Sequence, residues 1–269
     1  MPEHAQPMQP SDPPSHQALL DGRAITWVEA GEARELPTLV MVHGLPGSHR
    51  DFRWLAPGLE PHTRVIRLDM PGFGGSRAIS PRLSRLAEHL LRRLDQLELE
   101  RVVLVGHSIG GPQALLAASR APDRVAGLAL LASPGLRPHR ALRSTRGSMP
   151  WIARGLRAPL LHAPLMRATQ AAMQRIGFPR RTPTWEIQRT VDVVAHLDFV
   201  PLRNAAAALR VPTFMAWAED DPLIERAVSE ELAAALPSGP RLRFATGGHN
   251  IQKTHAAQLS AALLDWLAG

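Results

Sequence analysis

Cysteine is absent from the 269 residues, which excludes disulfides, thiolate metal sites and thiol catalysis and fits a reducing compartment. Lysine is almost absent too. Lys253 is the only one, so the formal net charge of +7 rests on arginine. A basic excess raises the question of a nucleic-acid partner. No basic stripe interleaved with aromatics stands out, and the preferred reading is a bias spread over a solvated surface, with no nucleic acid bound. The densest region, between Arg137 and Arg157, stays open. No apolar run reaches the roughly 18 residues of a membrane-spanning helix. Segment 1–16 carries five prolines and lacks the apolar block, about 7–15 residues long, of a secretory signal. It reads as a disordered leader, and the chain as cytoplasmic. Scattered histidines such as His62 and His162 show no metal-ligand spacing, and no G-x-G-x-x-G fingerprint occurs. Neither a metal nor a cofactor is expected.

What is present is ordinary for a globular protein: 45% hydrophobic and 20% charged residues. Strand-like and helix-like runs alternate, which argues for a mainly parallel sheet with helices on both faces. Segments 17–20 and 23–30 flank Asp21-Gly22, a strong hairpin signal. Segments 38–43, 64–69 and 101–106 are short, rich in Val, Ile and Leu, and read as strands buried on both faces. Helical spacing marks 81–99, then 111–120, with a strand at 125–132. From 136 to 208 the chain is rich in Arg, Pro, Met and Trp and shows no obvious strand. Alternation resumes with strands at 213–218 and 241–245 and helices at 228–236 and 255–267. The domain reading is a core from 17–135 and 209–269, with a helical insertion at 136–208.

The chemistry centres on Gly106-His107-Ser108-Ile109-Gly110, between a predicted strand and a predicted helix. A serine on such a tight turn projects its oxygen above the sheet, and the helix N-terminus favours developing negative charge. Read alone, the pattern is only a turn; its context makes Ser108 the candidate nucleophile. Serine needs a base oriented by a third group. His249, in Thr246-Gly247-Gly248-His249-Asn250, follows the last predicted strand, and Asp221, before Pro222, follows the strand at 213–218. Asp220 and Asp198 are the other carboxylates considered. Adjacent residues on an extended segment point opposite ways, so only one of Asp220 and Asp221 can face His249. His43-Gly44-Leu45-Pro46-Gly47 follows a third strand, making the backbone amides of Leu45 and Ile109 the candidate oxyanion donors. His107 reads as a packing residue rather than a second base.

The motifs HGLPGS, RLDMPGFGGS, GHSIGG, WAEDDPLI and GGHNIQ, in this order, resemble those of the α/β-hydrolase superfamily over nearly the whole chain after the leader. The resemblance implies an α/β-hydrolase fold, with an eight-stranded sheet and a helical cap inserted at 136–208. HGLPGSHRDFRWL and GHNIQKT are similar to the haloalkane dehalogenase and epoxide hydrolase branch. That branch uses an aspartate nucleophile, whereas Ser108 stands here, which points toward esters. The expectation is a cofactor-free serine esterase acting on a small, apolar ester, with a lyase or C–C bond hydrolase on the same triad as the alternative. Trp151 and Trp185 are expected to line the substrate pocket, and Arg137, Arg140, Arg143, Arg146, Arg154 and Arg157 are considered as attractors of acidic substrates. Neither the acyl and alcohol groups nor the oligomeric state is encoded in these motifs.

Overall fold

A computed structural model describes residues 11–143 and 147–269. Eight strands form one sheet: β1 (Ser15–Leu20), β2 (Arg23–Ala30), β3 (Thr38–Val42), β4 (Val65–Leu68), β5 (Val102–His107), β6 (Val125–Leu131), β7 (Thr213–Ala218) and β8 (Arg241–Phe244). Their order is β1-β2-β4-β3-β5-β6-β7-β8. β2 runs antiparallel to both neighbours, and every other pair is parallel. Asp21 and Gly22 both take positive φ, 53° and 70°, the geometry of the two-residue hairpin turn that their types favour.

Alternation explains the two-sided core. Val40, Val42, Leu104 and Leu130 face one apolar cluster, while Leu39, Met41, Val103 and Leu131 face the other. The first is closed by α1 (Leu83–Gln96) and α2 (Gly110–Arg120), the second by the last helix (Ala256–Ala268) and two short 3-10 turns after β3.

Between β6 and β7 lie α3 (Arg140–Arg143), α4 (Met149–Gly155), α5 (Pro159–Arg175), α6 (Thr184–Ala195) and α7 (Phe199–Ala208), with no strand among the described residues. Phe199 and Leu202 of α7 share the cluster of α1 and α2, as does Val193 near the end of α6, whereas α4, α5 and Ile187 of α6 pack into a separate cluster around Leu156 and Met166. The expected leader, 1–16, lies partly outside the described residues. Ordered structure begins earlier than expected, because Ser15 and His16 pair with Val28 and Trp27 in the sheet.

The order β4-β3-β5 means that the chain steps from β3 to one side and then returns to the other. Such a reversal opens a crevice at the carboxyl ends of the strands, where ligands bind in open α/β sheets.

Candidate active site

Ser108 leaves the end of β5 with φ of 49°, a left-handed conformation that a non-glycine residue holds only when its surroundings enforce it. Its amide donates to Leu131 O at 2.9 Å, so the sheet grips the turn from the β6 side. The flanking glycines are steric requirements. A Cβ on Gly106 would meet Gly111 Cα at 2.5 Å, and one on Gly110 would meet Val42 O at 2.1 Å. The obstacles are backbone atoms, which cannot swing aside. Gly110→Ala is therefore expected to destabilise the fold by about 2–3 kcal/mol and to lower activity with it; unchanged urea unfolding would contradict this.

Three of the expected residues meet. His249 Nε2 lies 2.8 Å from Ser108 Oγ, and His249 Nδ1 lies 2.8 Å from Asp221 Oδ2. A carboxylate only accepts, so Nδ1 carries the proton and Nε2 faces the hydroxyl as an acceptor. The second oxygen of Asp221 accepts the Leu223 and Ile224 amides at 2.8 and 3.1 Å. Burial opposes ionisation of Asp221, but the His249 hydrogen bond, the imidazole charge and those amides outweigh it and hold the carboxyl below its usual range. Asp220 points elsewhere, accepting the Gly248 and Gly247 amides at 2.7 and 3.2 Å. Asp198 caps α7, accepting the Val200 amide at 3.0 Å.

Gly44 runs so close to the elbow that a Cβ there would approach Ser108 Cβ to 2.9 Å. The Leu45 and Ile109 amides donate to no other protein group among the described residues. The loop carrying Leu45 is held at both ends. His43 Nε2 accepts the Met70 amide at 2.8 Å, and its Nδ1 donates to Gly44 O at 2.6 Å. At the other end, Asp69 accepts the His49 amide and His49 Nδ1 at 2.8 and 2.9 Å, together with the Thr26 hydroxyl and Gly75 amide. The HGLPGSH and LDMPGFGG segments are thus two halves of one polar clamp.

His107 has more than a packing role. Its Nε2 donates to the carbonyl of His249 at 3.0 Å, and Gln252 Nε2 sits 3.5 Å from its Nδ1. It therefore steadies the loop that bears His249. Asp220 does the same from the other side. Sequence reasoning missed both contacts; the only available signal was their adjacency to Ser108 and Asp221.

Burial keeps His43 and His107 neutral, with pKa values lowered to about 4 and about 3. Burial pushes the Asp51 carboxyl up to about 7 against the Ser48 and Gly44 amides, which pull it down. Between about pH 4 and 6.5, unfolding lets the two histidines take up protons while Asp51 releases one. The unfolded state thus binds more protons, and stability falls as the pH falls. The slope from these three groups approaches about 1.4 kcal/mol per pH unit near pH 5, and His89, lowered to about 4 by burial, steepens it. Urea unfolding at several pH values checks this, and a flat or rising stability toward acid would refute it.

Trp151 and Trp185 are not brought to the serine by any contact. Both are largely exposed. Trp151 lines a surface cavity of about 400 Å³ with Arg154, Arg157 and His196, and no member of the Ser-His-Asp line borders it. Of the six arginines considered for acidic substrates, Arg137 and Arg143 pair with Glu225, and Arg157 pairs with Asp192. Arg146 lies outside the described residues. No described helix is long and apolar enough to cross a membrane.

Relatives carry the same plan. The chain is 31% identical to the magnesium-chelatase 30 kDa subunit of Rhodobacter capsulatus, over 90% of this chain and 91% of that one. It is 30% identical to the 2-hydroxymuconate semialdehyde hydrolase of a Pseudomonas species, over 86% of each. A haloalkane dehalogenase from Bradyrhizobium elkani superposes with a TM-score of 0.75 at 21% identity, covering 95% of this chain and 98% of that one. Residues 37–256 match the model of the alpha/beta hydrolase fold, and with the sheet order and the strand-end loops described above, this chain belongs to the alpha/beta hydrolase family.

Proposed function

We propose that the protein is a serine hydrolase that cleaves a carboxylic ester through an acyl-enzyme. The supporting observation is the unbroken line from Ser108 Oγ through His249 to Asp221, at 2.8 Å per link, beside two unengaged amides. In this reading Ser108 Oγ attacks the carbonyl carbon while His249 Nε2 takes its proton. Asp221 stabilises the resulting imidazolium, and the Leu45 and Ile109 amides receive the oxyanion. Collapse breaks the C–O bond, and His249 returns the proton to the leaving alcohol. Water, deprotonated by His249, then frees the acid. Displacement at an alkyl halide fits poorly, because serine would be left as an ether that water does not readily cleave.

The inserted helices bear on access to this site. The chain leaves the sheet after β6, yet Arg189 of α6 donates to the carbonyls of Pro71 and Ile79 in the loop beyond β4. A unit spanning from β6 to β4 passes over the ends of β5 and β3, and we assign it the role of a cap above Ser108.

A fluorophosphonate should leave one adduct, on the peptide containing Ser108, and p-nitrophenyl esters should release a burst of phenolate. An adduct elsewhere, or none on folded protein, rejects the nucleophile. The 30% identical relative named 2-hydroxymuconate semialdehyde hydrolase favours a second reading, hydrolysis of a C–C bond on the same three residues. Turnover of diketones with negligible ester cleavage would replace the first with it.

A further inference from the structure

Segment 125–185 contains ten arginines and not one aspartate or glutamate. The whole chain has a net charge of only +7, so the remainder is net acidic and the positive charge is gathered on this stretch. Arg137, Arg143 and Arg157 are neutralised by carboxylates from outside the segment. Arg154, Arg167, Arg175, Arg180 and Arg181 are exposed, and none forms an ion pair among the described residues.

The same segment holds the apolar outliers. Of seven exposed large hydrophobic residues among those described, five lie here: Trp151, Leu160, Leu161, Ile176 and Trp185. Leu160 is 93% exposed and Trp151 73%. On α5, helical spacing puts Leu160, Pro164, Arg167, Ala168, Ala171 and Arg175 along one side, and that side faces outward while Met166 faces in. It contains apolar and cationic groups only.

We infer that the α4–α5 face docks on an anionic lipid surface. A helix with arginines beside a protruding leucine suits the headgroup boundary. Its aliphatic tips bury in the acyl region while the guanidinium groups meet the phosphates. A nucleic acid would satisfy the arginines but not the aliphatic tips of Leu160 and Leu161. A folded acidic protein would have to supply a groove for side chains that protrude. The inference stands apart from the ester reading, since it concerns binding and not turnover.

The test is co-sedimentation of the full chain with vesicles of phosphatidylcholine alone or containing about one-third phosphatidylglycerol. Binding should require the anionic lipid and weaken as salt rises above about 0.1 M. Arg167→Gln with Arg175→Gln should weaken it by about thirtyfold. Leu160→Asn with Leu161→Asn should weaken it by at least about tenfold. These side chains are exposed, so circular dichroism should show both variants folded. Absence of binding to anionic vesicles overturns the proposal. Loss with the arginine pair but full retention with the leucine pair also overturns it, assigning the face to a soluble polyanion instead.

Discussion

Ser108→Ala should lower kcat on an activated ester by about a millionfold. In the proposed mechanism the Ser108 hydroxyl is the group that bonds to the acyl carbon, so without it that acyl-enzyme does not form. Residual turnover would come from the remaining site acting on water. The substitution tests chemistry and not folding. Alanine tolerates the 49° φ about as well as serine, and the backbone bonds to Leu131 and Gly111 are unchanged. Substrate binding should survive, leaving KM within a small factor, and the phosphonate adduct should vanish. A variant that keeps more than a hundredth of the activity would refute the assignment.

The second large effect is expected at Asp221. Asp221→Asn should reduce kcat by about a thousand- to ten-thousandfold with little change in KM. An asparagine oxygen can still accept the Leu223 and Ile224 amides, which preserves the turn. What is lost is the anion that fixes the proton on His249 Nδ1 and stabilises the imidazolium. Asp220→Asn should cost far less, since its carboxylate touches only the Gly247 and Gly248 amides and an amide oxygen can replace part of that. Asp198→Asn should leave activity intact, because asparagine caps a helix as well as aspartate does. Steady-state kinetics on all three variants decides the matter. Equal damage at Asp220 and Asp221 would show that the two carboxylates act as one unit and that Asp221 has no separate role.

Most of the eight strands were legible because they are short apolar runs closed by turn residues, a signal contained within a few positions. Asp21-Gly22 announced its hairpin for the same reason. The packing of the helical insertion was less legible. Phe199 and Leu202 carry no mark saying that they pack on α2 rather than on α6, since both environments are equally apolar. Trp151 illustrates the limit of composition: a large aromatic reads as a pocket residue until its exposure is known. The clamp joining His43, His49, Asp69 and Thr26 was also invisible, because its members are polar residues from the ends of two strands and the middle of a third.

The sequence by itself determined the kinds of elements and their order, and the positions of Ser108, His249 and the loop carrying Leu45 within that order. Periodicity, turn chemistry and glycine placement are local properties, and they survive without any partner. The tertiary structure alone decided which of two adjacent aspartates faces His249, that His107 and Asp220 steady its loop, and that Leu160 stands bare beside the arginines of α5. The first two outcomes depend on contacts between residues 28 and 142 positions apart. Only the packing of strands into a particular sheet order brings such residues within hydrogen-bonding distance.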